Sequence, residues 1–247
     1  VEIANIFWDG ELTTFEKKCI KSFIDNGFLV KLWSYCGNKI DGCESCDASL
    51  VLDKSYMHNI KQEHPNLSEE HCSMAAFSDM FRFTLISKNG GWWFDADCFC
   101  LKKQEEYKKL RGDKDIIAFY EEPESINCAA FYIEKGSKVA IDILNEFTLL
   151  YNNNIGNVAK WGTFGPGFFT NFSNKYGLND CILDKNLAYA IHWEEFYLYI
   201  DETKKEEGYN RIKDSYLTHI FNSYMKKHKV NKDNPPIGCL LHSLYQK

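Results

Sequence analysis

Residues 3–33 alternate strand, helix and strand at a spacing that leaves few folds open. Ile3–Trp8 is an apolar run that stops at Asp9-Gly10, a strand followed by a turn. Thr13 with Glu16 three residues on makes a capping box, and Phe15, Cys19, Ile20, Phe23 and Ile24 follow at helical spacing. The helix is predicted to stop at Asn26-Gly27, and Phe28–Trp33 to be the second strand. Strand, helix and strand at this spacing form a βαβ unit. The expectation is therefore an α/β protein with a central, mostly parallel twisted sheet flanked by helices.

The remaining pattern fits one domain of 247 residues, with no internal repeat and no Pro/Gly linker long enough to separate a second unit. A long helix is predicted from near Ser68, with Glu69 and Glu70 in its first turn and Met74, Phe77, Phe81 and Leu85 as its apolar stripe. Gly90-Gly91 ends it, and Trp92–Phe94 makes a short strand. Asp115–Tyr120 and Ala129–Ile133 read as further strands, and Ser137–Tyr151 as a helix. Trp161–Phe169 reads as a Gly-rich aromatic loop, Ala188–Ile200 as strand-rich, and Ser215–Lys226 as a helix or extended tail.

Composition excludes several classes. A net charge of −6 argues against a nucleic-acid partner, which would need clustered Lys and Arg. No apolar run is long enough for a transmembrane segment, and Val1–Trp8 does not look like a signal peptide. The expected compartment is the cytoplasm, or a lumen if an upstream anchor has been removed. Cys43 and Cys46 form a lone CxxC near Cys36, without the fourth ligand that zinc needs. Cys98 and Cys100 read as packed strand thiols. The aromatic fraction of 15% is high enough to suggest rings free to stack on a base or sugar.

The sharpest chemical feature is Phe94-Asp95-Ala96-Asp97 at the end of an apolar strand. In an extended chain, residues two apart share a face, so both carboxylates are expected to converge while Ala96 faces away. Two hard oxygen donors there make a half-site for Mg²⁺ or Mn²⁺, completed by substrate phosphates. Ligands of open α/β sheets bind at the same end. Asp79 and Arg82, three apart on the preceding helix, share a face, and only Arg82, Arg111 and Arg211 are arginines. As bland readings, Asp79–Arg82 is a surface ion pair, Trp8 is core, and His192 is a satisfied core histidine. Trp92 and Trp93 point to opposite faces, so at least one should be packing. His58, His64 and His71 have no ligand spacing.

Ser78-Asp79-Met80-Phe81-Arg82 followed by Gly90-Gly91-Trp92-Trp93-Phe94-Asp95-Ala96-Asp97 resembles the core of the DxD-type sugar transferases of glycosyltransferase family 32. That group includes Och1-like and α-1,4-galactosyl- and N-acetylglucosaminyltransferases, bacterial capsule and lipopolysaccharide enzymes and, more distantly, the clostridial glucosylating toxins. Ile6–Leu12, Cys19–Phe23 with Leu32–Tyr35, Asp47-Ala48, Trp161–Pro166 and Thr218–Asn222 resemble further motifs in family order.

The resemblance implies a single GT-A-like domain, 1–247. Residues 1–100 would be the nucleotide-binding half ending in the DxD, and 101–247 the acceptor-side half and C-terminal tail. It implies that Asp95 and Asp97 hold Mn²⁺ (or Mg²⁺) and meet the donor's ribose and diphosphate, and that Asp79 and Arg82 bind the donor sugar. Trp8 would lie beside the base and Trp93 near the donor, with Gly165 and Pro166 in the donor loop and His219 as the late metal or phosphate ligand. The family usually has Trp two residues after that histidine; here it is Phe221. The implied activity is metal-dependent, retaining transfer of a hexose from a nucleotide-sugar donor, UDP-sugar before GDP-mannose, to a glycan or glycoconjugate acceptor. With no carboxylate nucleophile placed by the sequence, same-face attack with deprotonation by the leaving phosphate is the expected route. The rival readings are a catalytically degenerate, carbohydrate-binding transferase fold and a haloacid-dehalogenase-type phosphatase with Asp95 as nucleophile. The phosphatase expects its motif on the first strand, and about ninety residues precede it here.

Overall fold

The computed structural model describes residues 1–59, 61–64 and 69–247. The expected helix start near Ser68, and the side chains of His58, Glu69, Glu70 and His71, lie outside the described residues. The first half contains β1 (Ile3–Phe7), α1 (Thr14–Asp25), β2 (Leu29–Ser34), β3 (Cys43–Asp47), β4 (Lys61–Glu63), α2 (Glu69–Asn89), β5 (Gly91–Phe94) and β6 (Cys98–Cys100). The second contains α3 (Gln104–Arg111), β7 (Ile116–Glu122), β8 (Ser125–Ile133), α4 (Lys138–Asn154), β9 (Val158–Lys160), α5 (Pro166–Tyr176) and β10 (Ile182–Leu183). After these come α6 (Tyr197–Ile200), α7 (Lys205–Ile212), β11 (Leu217–His219), α8 (Asn222–Lys227) and α9 (Leu240–Tyr245).

The first βαβ unit forms as its sequence dictates. The backbone N–H of Thr13 donates to Glu16 Oε2 at 3.0 Å, closing the capping box, and β1 pairs in parallel with β2 from Ile3–Leu29 to Phe7–Trp33. Among the described residues seven strands make the central sheet, in the order β10-β7-β8-β5-β1-β2-β3. All its pairings are parallel except those of β8, which runs antiparallel to both β5 and β7. The chain leaves β1 toward β2 and later enters β5 on the other side. The carboxyl ends of β1 and β5 therefore flank the switch point, where open α/β sheets bind ligands.

Both faces of the sheet are covered, so its central strands are mostly apolar, and the buried Asn5 of β1 is satisfied by Trp92 O and Trp33 Nε1. Phe7 and Trp93 join Phe77, Phe81 and Phe83 of α2 and the aromatic residues of α4 and α5 in one core. Ile6, Trp92 and Phe94 join Ile20 and Phe23 of α1 and Tyr107 of α3 in the other. Both tryptophans are thus packing. A third cluster gathers α6, α7 and α9 against Phe15 and Cys19 of α1.

Away from the central sheet, propensity loses to tertiary context. Ala188–Ile200, rich in β-formers, contains no strand. Trp193–Glu195 is a 3₁₀ turn capped by His192, and α6 follows to bury Leu198 and Tyr199. Trp161–Phe169 is loop only to Gly165, because Pro166 opens α5 at the first helical position, where its missing N–H costs nothing. Ser215–Lys226 is strand, then helix: β11 pairs antiparallel with β6 before α8 begins. His192 is no core histidine, since its Nε2 meets Glu122 Oε1 at 2.7 Å on a half-exposed edge. The described cysteines are free thiols, with no disulfide among them.

Candidate active site

A cavity of about 730 Å³ opens at the carboxyl ends of β5 and β7. Asp79, Arg82, Asp95, Asp97, Pro166 and His219 all line it. Gly165 stands behind Asp79, whereas Trp8 and Trp93 do not line it.

Asp95 and Asp97 converge for a different reason from strand alternation. β5 ends at Phe94, and Cys98 N–H donates back to Asp95 O at 3.0 Å, so residues 95–98 form a tight turn into β6. Ala96 tucks into the core beneath. The turn aims Asp95 toward α2 and Asp97 toward β11, and both carboxylates stay in the cavity.

Asp79 and Arg82 are not a surface pair. Each is 6% exposed, so the bland reading fails. Arg82 Nη1 donates to Cys128 O at 2.7 Å, and Nη2 donates to Ser78 Oγ at 3.1 Å and meets Asp95 Oδ1 at 3.2 Å. Its Nε lies 3.4 Å from Asp79 Oδ1, and its guanidinium sits over the Trp93 ring at 5.2 Å. Trp93, 1% exposed, in turn donates from Nε1 to Asp95 Oδ1 at 2.7 Å. It buttresses Arg82 and Asp95 and has no free face to offer a ligand. Burial pushes the Asp79 carboxyl up to about 6, only partly offset by Arg82.

Asp97 is caged. Its Oδ1 faces His219 Nε2 at 3.2 Å, and its Oδ2 accepts the Asn222 N–H at 2.8 Å. Burial would raise its pKa, yet His219 and that N–H hold it down at about 2. His219 reaches this place because β11 pairs His219 with Cys98, one residue beyond the DxD. Phe221 has a left-handed backbone (φ 51°), a strain of about 1–3 kcal/mol in a bulky residue, and α8 begins directly after it. Asn222 is anchored further by Glu16, whose Oε1 pairs with buried Lys232 at 2.9 Å.

The donor set fits a divalent cation. Cis ligands of an octahedral ion with bonds of about 2.1 Å stand about 3 Å apart, which is the Asp97–His219 separation. The carboxylate oxygens suit Mg²⁺ or Mn²⁺, and the imidazole nitrogen favours Mn²⁺ of the two. Among the described residues the buried His219 Nδ1 has no hydrogen-bond partner, so the ring's polar contact is made by Nε2 toward Asp97. Cys98 lies within the same 4.8 Å cluster, but burial holds its thiol protonated and it donates to Ala129 O.

Trp8 stands just past β1 at the switch point, half-buried, with Nε1 donating to Glu11 O at 3.1 Å. The sequence reading missed Cys128, Asn127, Glu121 and Trp193, which also line the cavity. Glu121 follows the expected strand Asp115–Tyr120 in sequence, but in the structure it lies within β7.

Gly165 is a glycine because of close approach. A Cβ there would lie 2.7–2.9 Å from the Asp79 carboxylate, which Arg82 and Cys128 keep from yielding. Gly165→Ala is expected to cost about 1–3 kcal/mol of stability by overpacking and to displace Asp79. Thermal denaturation and ligand binding on the purified variant check this; an unchanged protein on both counts would refute it.

Fold and site together define an α/β protein with an acidic, cation-competent cavity at the carboxyl ends of a mostly parallel sheet. Within that class, the chain belongs to the capsular polysaccharide synthesis protein family, whose model matches residues 58–236. It is also 27% identical over 180 residues to Subversion of eukaryotic traffic protein A of Legionella pneumophila subsp. pneumophila strain Philadelphia 1. That match takes in 64% of this chain but 26% of the relative, so the chain spans about a quarter of the length of that curated protein. Among solved structures it is similar to the PaToxG glycosyltransferase, with 15% identity, a TM-score of 0.49 and coverage of 73% of this chain and 71% of that one. It is similar too to the galactosyltransferase LgtC in complex with donor and acceptor sugar analogues, with 11% identity, a TM-score of 0.49 and coverage of 89% and 87%.

Proposed function

We propose that this chain is a metal-dependent, retaining glycosyltransferase of GT-A-like architecture. It moves a hexose from a nucleotide diphosphate sugar, UDP-sugar before GDP-mannose, to a hydroxyl of a glycan or glycoconjugate. The observation that carries this reading is the gathering of Asp79, Arg82, Asp95, Asp97 and His219 around one cavity at the sheet's carboxyl end. Membership of a capsular polysaccharide synthesis family supports it. The phosphatase reading loses ground because Asp95 follows the fifth strand, not the first.

Asp97 and His219, with Asp95 beside them, would hold Mn²⁺ or Mg²⁺. When bound, the ion supplies positive charge to a departing diphosphate. Arg82, fixed by Ser78, Asp79, Trp93, Asp95 and Cys128, would supply positive charge at the cavity without reorganisation, the condition under which electrostatic stabilisation is largest. Ionised Asp79 would accept hydrogen bonds from donor-sugar hydroxyls. Trp8, at the switch point, would stack on the base. Among the described residues no helix is long and apolar enough to cross a membrane.

The test is thermal denaturation with a panel of UDP-glucose, UDP-galactose, UDP-N-acetylglucosamine and GDP-mannose. A ligand at a hundred times its Kd adds about 2.7 kcal/mol, or roughly 5–10 °C for a domain of this size. A UDP-sugar is expected to give that shift with Mn²⁺, and excess chelator to remove it. No shift with any member, or equal shifts in chelator, would sink the reading.

A further inference from the structure

The cavity contains a carboxylate that the roles above leave unused. β7 and β8 change register between Tyr120–Ile126 and Glu122–Ser125, so Glu121 is the extra residue of a bulge. Bulges beside binding sites re-aim a side chain. The effect is visible in the two neighbours: Glu122 goes outward to His192 at 2.7 Å, and Glu121 turns into the cavity. Among the described residues Glu121 has no cationic partner within ion-pair distance.

Its aim is fixed by a relay. Glu121 Oε2 accepts from Asn127 Nδ2 at 2.8 Å. Asn127 cannot flip, because its Oδ1 accepts the Ala129 N–H at 2.7 Å and the hydroxyl of buried Tyr189 at 3.2 Å. Ala129 O in turn accepts the Asp95 N–H at 2.8 Å. One peptide segment therefore sets both the turn that carries the cation-facing aspartates and the orientation of Glu121. One carboxylate oxygen is held, which leaves the other for a ligand. The Trp193 and Tyr224 rings, 4.9 Å apart, line the same cavity and make an apolar wall suited to a sugar ring.

We propose that Glu121 is the general base of the transfer reaction, an inference that rests on the glycosyltransferase reading. Its free oxygen accepts a hydrogen bond from the attacking hydroxyl. The bond from the anomeric carbon to the diphosphate oxygen breaks, its electron pair staying with the diphosphate, and the hydroxyl's oxygen bonds to that carbon on the face the diphosphate leaves, so configuration is retained. The hydroxyl proton ends on Glu121 and passes to solvent. This replaces deprotonation by the leaving phosphate, which followed from having no placed carboxylate. Water is the smallest acceptor, so hydrolysis of the donor reads the same step.

The experiment measures UDP release from UDP-glucose with Mn²⁺, and binding of UDP–Mn²⁺ and GDP–Mn²⁺ by calorimetry, for the wild type, Glu121→Gln and Glu121→Ala. Glu121→Gln keeps the Asn127 contact but cannot take a proton. Its kcat is expected to fall about 100-fold, with KM and UDP affinity within about twofold of wild type. Formate is expected to restore part of the Glu121→Ala rate, a rescue that a purely structural role would not give. Glu121→Gln turnover within about threefold of wild type overturns the proposal, as does a parallel loss of UDP affinity. No UDP release from a wild type that binds UDP–Mn²⁺ overturns the base role. No binding of either UDP–Mn²⁺ or GDP–Mn²⁺ by the wild type overturns the transferase reading itself.

Discussion

Asp97→Asn is expected to lower sugar transfer by about a thousandfold while leaving the protein folded. The change removes one unit of negative charge from the pair formed with His219, and with it most of the site's attraction for a divalent ion. If the ion contributes several kcal/mol to stabilising the departing diphosphate, about 4 kcal/mol corresponds to three decades in rate. Asn is the informative substitution. Its side-chain oxygen can still accept the Asn222 N–H, now bonded to Asp97 Oδ2 at 2.8 Å, so the start of α8 keeps its anchor. Asp97→Ala would also remove that bond, and the DxD is thus less separable from packing than a strand-end carboxylate would be. Mn²⁺ binding followed by electron paramagnetic resonance and donor turnover should fall together in Asp97→Asn. Turnover within tenfold of wild type, with Mn²⁺ bound normally, would show that Asp97 is not the cation's anchor.

Much of this site was legible because it is built from short-range features. The capping box at Thr13 and Glu16, the Asn26-Gly27 stop and the apolar strands fix β1, α1 and β2 locally, and the parallel sheet follows from them. Asp79 and Arg82 share a helix face by spacing alone. Their burial was not legible, because it depends on Cys128 arriving from β8, 46 residues away from Arg82. Glu121 was hidden for a related reason. Its direction is set by a bulge, which a period of two along the strand cannot foresee. Trp93 shows the opposite failure, in which a motif residue assigned to the donor spends both its ring face and its N–H on Arg82 and Asp95. The segment from 188 to 200 misled because aromatic and β-branched residues favour strands only when a sheet edge receives them. Here α1, α7 and α9 offered helical surfaces to pack on.

Asp79 supplies a prediction in which stability and activity move in opposite directions. The carboxyl is buried with Arg82 on its own helix, Cys128 on β8, Asp95 beyond β5 and the Gly165 backbone against it. Burial raises its pKa from 3.8 to about 6 in the folded protein, more than Arg82 lowers it. A carboxyl whose folded pKa is raised favours folding when protonated. Its contribution is therefore fully present below the unfolded value near 4, and is lost as pH rises through about 6. At pH 7.5 the ionised group is a net cost of up to about 3 kcal/mol, two pKa units at 1.36 kcal/mol each. Asp79→Asn removes the charge, and Arg82 retains Asp95 as its partner. The variant is expected to be more stable than wild type by about 1–3 kcal/mol at pH 7.5, and the difference should vanish near pH 4. Turnover should nevertheless fall about ten- to a hundredfold, the effect of losing a charged hydrogen bond to the donor sugar. Wild-type activity should likewise fall below pH 6 while its melting temperature does not. A site that accepts a destabilising charge in order to grip its substrate would behave this way. An Asp79→Asn protein less stable than wild type at pH 7.5, or fully active, would instead make Asp79 a structural partner of Arg82.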